Sequence, residues 1–356
     1  MKRLMALTLI LPSILLIVSA VACGSTPEPT PAPMATATST PIPTLAPGTS
    51  AVWFSAAGGV SRFDGTNWIT FNYTNSDLVG NDVTAIAIDN TGNKWFGTEY
   101  GISRFDGTNW TNFNVSDSVV AHNAVYSIAT DSTGNVWFGN GEGNVKKYNG
   151  TTWTTYHLPN IDHHSKVCAI AIDSAGNIWC GTRFDGVRKY DGTNWATYTE
   201  GNSDLAGNDI FSIAIDSADN IWFGTYYGYL IKYDGTNWTT YDIVKLTHTP
   251  PYITSLYYNS VYAIDIDSAG NIWFGNYDIG VSKYDGTNWT TFTTGNSGLM
   301  DHTVRALAID NAGNVWAGSD YGHVSKYDGT NWTTYDIAGC SLDDECLKTI
   351  VVENAD

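Results

Sequence analysis

Residues 208–241 read NDIFSIAIDSADNIWFGTYYGYLIKYDGTNWTTY. Four short runs of β-forming residues stand out: IFSIAID, IWFGT, YLIKYD and WTTY. Ile, Tyr, Trp, Phe and Thr dominate the runs, while SADN, a short tip and GTN punctuate them. The stretch predicts a four-stranded antiparallel unit with tight turns at both ends.

The unit recurs. The fourteen tryptophans fall into seven pairs, led by Trp53, Trp95, Trp137, Trp179, Trp222, Trp273 and Trp316. The second members, Trp68, Trp110, Trp153, Trp195, Trp238, Trp289 and Trp332, are separated by 42, 43, 42, 43, 51 and 43 residues. DGTNW begins at 64, 106, 191, 234, 285 and 328, and NGTTW at Asn149. From Ser50 to Asp356 no stretch carries helical periodicity. Seven four-stranded units of about this length predict an all-β fold, a seven-bladed β-propeller over 51–356.

The two ends test that count. Ala51 opens on AVWFS, the second strand of a blade, with no first strand before it. LKTIVVENAD from Leu347 aligns with VTAIAIDNTG from Val83, a first strand with no second. The ring is therefore predicted to close by pairing the C-terminal strand with the N-terminal blade, which removes an exposed sheet edge. Within each blade the Asp-Gly dipeptide supplies the left-handed backbone of a tight hairpin. The tryptophans are expected between blades, where each buries about 150–250 Å². The Asp of each DSAGN turn is expected to close the turn onto its own backbone rather than to hold calcium.

Residues 1–22 read as a lipoprotein signal: Lys2 and Arg3, an apolar run from Leu4, then Ala20-Val21-Ala22 before Cys23, which resembles a bacterial lipobox with Cys23 as the lipidation site. Residues 23–50 are rich in Pro, Thr, Ser and Ala and hold seven of the eleven prolines. Such a segment cannot bury a core and serves as a stalk. The formal charge is −18, or −20 once Lys2 and Arg3 leave with the signal. That excludes a nucleic-acid partner, since no basic stripe is present to neutralise phosphates. With Cys23 lipidated, four cysteines remain. Cys340 and Cys346 flank a short acidic loop and are expected to form a disulfide. Cys168 and Cys180 fall on neighbouring strands and are expected as small buried hydrophobes.

The shared pattern IDSAGNIWFGT, followed by KYDG and a Trp, resembles the two-component regulator propeller repeat, the ligand-binding sensor propeller outside the cell in some bacterial hybrid histidine kinases. The resemblance covers 51–356. It implies ligand binding outside the cell and leaves the ligand open. Members of that family often continue into an immunoglobulin-like domain, a membrane span and a kinase; here a stand-alone lipoprotein is expected, monomeric and anchored outside a bacterial membrane by its lipid alone.

Positions where the repeats agree carry the frame, so specificity is sought where they differ. The blade-to-blade connections and the second-to-third tips share one face of a propeller, and the repeated turns share the other. All seven histidines fall on the variable side, including His122, His163, His164 and His302 in or beside connections and His323 at a tip. The tips add Tyr100, Phe184, Tyr227, Tyr277 and Tyr321, with Arg183 and Asp320 as charged partners. Asn123 and Asn208 precede inner strands and either cap local turns or join a ring of polar groups at the channel mouth. The longest connection, 242–260, offers Tyr252 and Tyr257 as a lid.

These residues favour a non-catalytic binding module for a glycan, peptide or protein, with no cofactor and no metal. The alternative is an enzyme: streptogramin lyases are similar in having seven Trp- and Gly-rich blades, and that resemblance implies His residues and a metal near the mouth. No His-x-x-x-His spacing is present, and no Ser-His-Asp set is legible. A third reading is a scaffold in an envelope complex.

Overall fold

The blade register follows from where the repeat places its aromatic pairs. The computed structural model describes residues 42, 45–46, 49–56, 58–113, 124–162, 165–243, 245, 259–337 and 347–354. Its seven antiparallel four-stranded sheets form a seven-bladed β-propeller. Blade five is the quoted unit: Ile210–Ile215, Ile221–Thr225, Tyr229–Tyr233 and Trp238–Asp242, paired in sequence order.

Blade one is the exception and closes the ring as expected. Its inner strand is the last of the chain, Ile350–Asn354, which pairs with Ser50–Ala56 in the register Val52↔Val352, Trp53↔Val351 and Phe54↔Ile350. Glu353 locks this seam. Its Oε2 accepts hydrogen bonds from Trp53 Nε1 at 2.8 Å and Arg62 Nε at 3.0 Å, and Lys94 of blade two is ion-paired to Oε1. Burial pushes the Glu353 carboxyl up, but Lys94, Trp53 and Arg62 outweigh it, so it lies below its ordinary 4.5.

The other six blades repeat that lock with an aspartate and neutral donors in place of the cations. In blade five Asp216 Oδ1 accepts the backbone N–H of Ala218 and Asn220, and Oδ2 accepts Asn220 Nδ2 at 2.8 Å and Trp222 Nε1 at 3.0 Å. One carboxylate thus closes the turn and fixes the indole. The Trp bond was not part of the turn-closing role expected from sequence. In blade three burial again pushes the carboxyl up, while Trp137, Asn135 and Thr133 more than offset it and bring Asp131 to about 2.

The first tryptophan of each pair is at most 4 % exposed and packs into the next blade; Trp179, for example, sits with Leu205, Ile210 and Phe223. The second is only half-buried. It lies against the aromatic opposite it in its own hairpin, at centroid distances from 4.3 Å (Tyr284–Trp289) to 5.1 Å (Tyr327–Trp332). It also meets the preceding blade, as Trp110 meets Phe71 at 5.7 Å. It thus stands between blades as expected, and only its burial is smaller, because it is on the outermost strand, where the wedge between blades opens to solvent. At the inner end the blades close up. A Cβ on Gly224 would stand 2.6 Å from both Val261 Cγ1 and Val261 O of the next blade, so only glycine fits there.

The DGTN turns are built as expected. Asp234 Oδ1 accepts the N–H of Thr236 and Asn237 at 2.9 and 2.7 Å, with Gly235 at φ +94°. Cys168 and Cys180 lie on paired strands of blade four and are both free. Cys23, Cys340 and Cys346 lie outside the described residues. Ile42 packs against the cluster around Trp53 and Phe96, so contact with the propeller begins before its first strand.

Candidate functional site

Tips and connections meet on one face, as their chain order requires. Arg183 N donates to Lys166 O at 2.9 Å, Tyr226 N to Asp209 O at 3.0 Å and Tyr277 N to Ser260 O at 3.1 Å; each bond joins a tip to the residue just before an inner strand. The large hydrophobics exposed among the described residues are Tyr73, Tyr100, Phe184, Tyr227, Met300 and Tyr321. All six lie on tips or connections. The opposite face presents the DGTN and DSAGN turns.

At the centre of the tip face the inner strands line a channel with two rings. The deeper ring is apolar: Ile86, Ile128, Ile170, Ile213, Ile264, Leu307 and Ile350, one from each blade, lining a cavity of about 200 Å³. Two residues nearer the mouth the blades disagree, with Thr84, Tyr126, Cys168, Phe211, Tyr262, Arg305 and Lys348. In six blades the pairing register shifts at this residue, as between Ile210 and Ser212. Such bulges leave one residue outside the ladder and re-aim its side chain, here into the mouth. That ring, with Glu99, Lys166, Arg183 and Tyr226, encloses a basin of about 430 Å³, within the usual range of small-ligand sites.

The basin is unusual for so acidic a chain, because four of its lining residues are cationic. Lys348 Nζ is 2.6 Å from Asp82 Oδ1, and Arg305 is ion-paired with Asp320 and lies 4.6 Å from the Tyr262 ring. Lys166 Nζ lies 2.9 Å from Tyr126 Oη and 4.1 Å from its ring centroid. The Arg183 guanidinium is 5.3 Å from Phe184 and 5.7 Å from Phe211. Asp209 behind it is 6 % exposed, and burial, against the pull of Arg183, raises its carboxyl to about 6. Cys168 faces the same three charges. Burial first and Asp209 second push its thiol up to about 12, against the opposing pull of Arg183 and Lys166, so it is no thiolate nucleophile.

Of the residues singled out in sequence, Arg183 reaches the basin wall. Tyr100, Phe184, Tyr227 and Tyr321 stand exposed around it, and Tyr277 is half-buried, its ring 6.1 Å from that of Tyr262. Asn208 and His302 turn away from the basin into their own connections. Asn208 Oδ1 accepts Glu200 N at 2.9 Å, and His302 bonds Thr294 Oγ1 at 3.0 Å. Asp320 is held by Arg305. His323 Nδ1 lies 2.8 Å from Asp301 Oδ2, the same oxygen that Ser319 Oγ contacts, so Ser319 and His323 share an acid and form no serine–histidine relay. No group of three His, Cys, Asp or Glu among the described residues is placed to hold a metal ion. His122, Asn123, His163, His164, Tyr252 and Tyr257 lie outside the described residues.

Lys166, Phe211, Tyr262, Arg305 and Lys348 belong to the basin and were absent from the sequence-based set, whereas Tyr226 stands among the tip aromatics. The signal for Phe211, Tyr262 and Arg305 was present. Aligned, the inner strands read VTAIAI, VYSIAT, VCAIAI, IFSIAI, VYAIDI and VRALAI, and the second column is where they scatter.

The family model described as two component regulator propeller matches residues 120–142 and 204–227, segments that fall in two of the seven repeats. No curated protein matches the chain by sequence. Among solved structures, the extracellular domain of a hybrid two component system from B. thetaiotaomicron is 24 % identical with a TM-score of 0.61, over 77 % of this chain and 39 % of that one. PorZ, a surface component of the type-IX secretion system of Porphyromonas gingivalis, is 20 % identical with a TM-score of 0.62, over 76 % of this chain and 43 % of that one. Virginiamycin B lyase from Staphylococcus aureus is 14 % identical with a TM-score of 0.62, over 80 % of this chain and 97 % of that one. These likenesses establish the shared propeller fold. The chain spans about two-fifths of the length of the first two.

Proposed function

We propose that this chain is a non-catalytic extracytoplasmic binding module that engages a glycan, peptide or protein through its tip face. In this reading residues 1–22 direct export, Cys23 carries the lipid, residues 23–50 form the stalk, and the propeller acts as a monomer. One observation carries it: every large hydrophobic exposed among the described residues is on the face that surrounds the basin. Exposed apolar groups collected on one face mark interaction sites. The extracellular domains among the solved neighbours agree with a location outside the cytoplasm.

The enzymatic alternative has less behind it. The fold is shared with virginiamycin B lyase over nearly that enzyme's whole length, but His323 and Ser319 converge on one acid and the Cys168 thiol is protonated at neutral pH.

Glycan and peptide arrays probed with the full chain test the proposal. Binding that weakens at least tenfold in Tyr227→Ala and Tyr321→Ala at unchanged melting temperature supports it. Binding indifferent to both substitutions overturns the tip-face assignment.

A further inference from the structure

Two of the four basin cations are neutralised by acids beside them, Lys348 by Asp82 and Arg305 by Asp320. On the blade-four side the balance differs. Lys166 and Arg183 are joined by a backbone hydrogen bond of 2.9 Å and make no ion pair among the described residues. Arg183 Nε is buried with no hydrogen-bond partner, and so is Oδ1 of Asp209, an acid within its electrostatic reach. These two do not satisfy one another. A donor buried without a partner is rare in a folded protein, and it leaves the guanidinium without an anion at this corner. Two flat groups bracket this corner: Tyr126, against which Lys166 Nζ rests, and Phe211, 5.7 Å from the Arg183 guanidinium.

We propose that this corner of the basin is an oxyanion subsite, in which Lys166 Nζ and the Arg183 guanidinium hold the anionic group of a small ring-bearing acid whose ring lies against Tyr126 and Phe211. The proposal rests on the binding reading above and specifies its ligand. Guanidinium and ammonium groups in a half-enclosed basin form charge-assisted bonds to carboxylate, sulfate or phosphate oxygens. The apolar ring below keeps the anion at the mouth: past Ile128, Ile170 and Ile213 a charge has no partner. The chain's large negative charge sets a further condition, because only an anion with specific partners overcomes that repulsion.

The test follows the Arg183 Nε–Hε resonance of the full chain by NMR, assigned by its loss in Arg183→Lys. Benzoate and glucuronate are the two ring-bearing probes, acetate the anion alone, and glucose and sodium chloride at matched ionic strength the controls. The expected result is a saturable shift with benzoate or glucuronate, at least tenfold weaker with acetate and at least tenfold weaker in Lys166→Met, with no shift from glucose. Whichever ring acid binds more tightly distinguishes an aromatic ligand from an acidic sugar. A shift linear in ionic strength for every salt overturns the subsite, as does an unchanged dissociation constant in Lys166→Met. Equal affinity for acetate and both ring acids removes Tyr126 and Phe211 from it. Failure here, with array binding still dependent on Tyr227 and Tyr321, leaves the tip-face proposal standing; loss of both defeats it.

Discussion

Each inner strand has two ends, and they obey different rules. At the turn end six blades place the same Asp, which closes the turn and holds the indole two strands' worth of packing away from solvent: Asp89, Asp131, Asp173, Asp216, Asp267 and Asp310, with Asp–Trp bonds of 2.8 to 3.0 Å. At the mouth end, five residues earlier, the same strands present Thr84, Tyr126, Cys168, Phe211, Tyr262 and Arg305. A bulge separates the two regimes. Residues inside the ladder are constrained by both neighbouring blades, whereas the bulged residue packs against open space. Uniformity therefore marks where the blades press together, and variety marks where they do not.

The largest effect expected is at the seam, where the comparison breaks down because Glu353 replaces the aspartate. Deleting residues 346–356 unpairs Ser50–Ala56 and uncovers Trp53; cooperative thermal unfolding should disappear, as read by calorimetry. A sharp transition at the parent temperature would rule out closure by this strand. Next comes Glu353→Ala, which strands Arg62 at 1 % and Lys94 at 9 % side-chain exposure without their anion. Breaking a buried pair costs about 3–5 kcal/mol, measurable by denaturant titration. The pH dependence has a fixed sign. The folded carboxyl lies below 4.5, so the contribution is full above that pH and lost as the pH falls below it.

Asp265 gives a smaller effect of opposite sign. It occupies an inner-strand position held by Ala87, Ala129, Ala171, Ala214 and Ala308 in other blades, and it accepts Ile309 N of the next blade at 2.8 Å. Burial raises it to about 6 against the backbone bonds from Ile266 and Ile309, with Asp267 adding to the rise. The folded value exceeds the unfolded one, so this group's stabilisation is full below pH 3.8 and lost as the pH rises through about 6. Asp265→Asn should flatten that decline by about 2 kcal/mol between pH 4 and 8; melting curves with the same slope as the parent would contradict it. Smallest of all, Tyr227→Ala on the tip face should shift stability by no more than about 0.5 kcal/mol, in keeping with a side chain 45 % exposed. A loss of several kcal/mol in the same melt would mean that the tip face is frame as well.

The propeller, its blade count and its closure were legible in sequence, because a period of tryptophans and Asp-Gly turns states the same local choice seven times. The register of Leu347 against Val83 even anticipated that Glu353 would stand where Asp89 stands, although the Lys94 and Arg62 partners were not visible. The basin was less legible. Arg183 was singled out as a tip residue, but Lys166, Arg305 and Lys348 stay ordinary until seven blades curve round and bring 166, 183, 305 and 348 to one rim. Asn208 and His302 resolve to the local-capping alternative: they recur just before inner strands, and their polar atoms bond groups eight residues back in the same connection.

What the sequence determined alone is everything set by nearest neighbours along the chain and by repetition: strand, turn, blade and count. Tertiary structure decided which way each mouth residue points, which cations find an acid and which do not, and that Asp209 and Arg183 approach without pairing. The physical reason is the bulge and the ring together. Side-chain direction follows the backbone register between strands, and partnership across the mouth follows closure of the circle; neither is a property of any one stretch of residues.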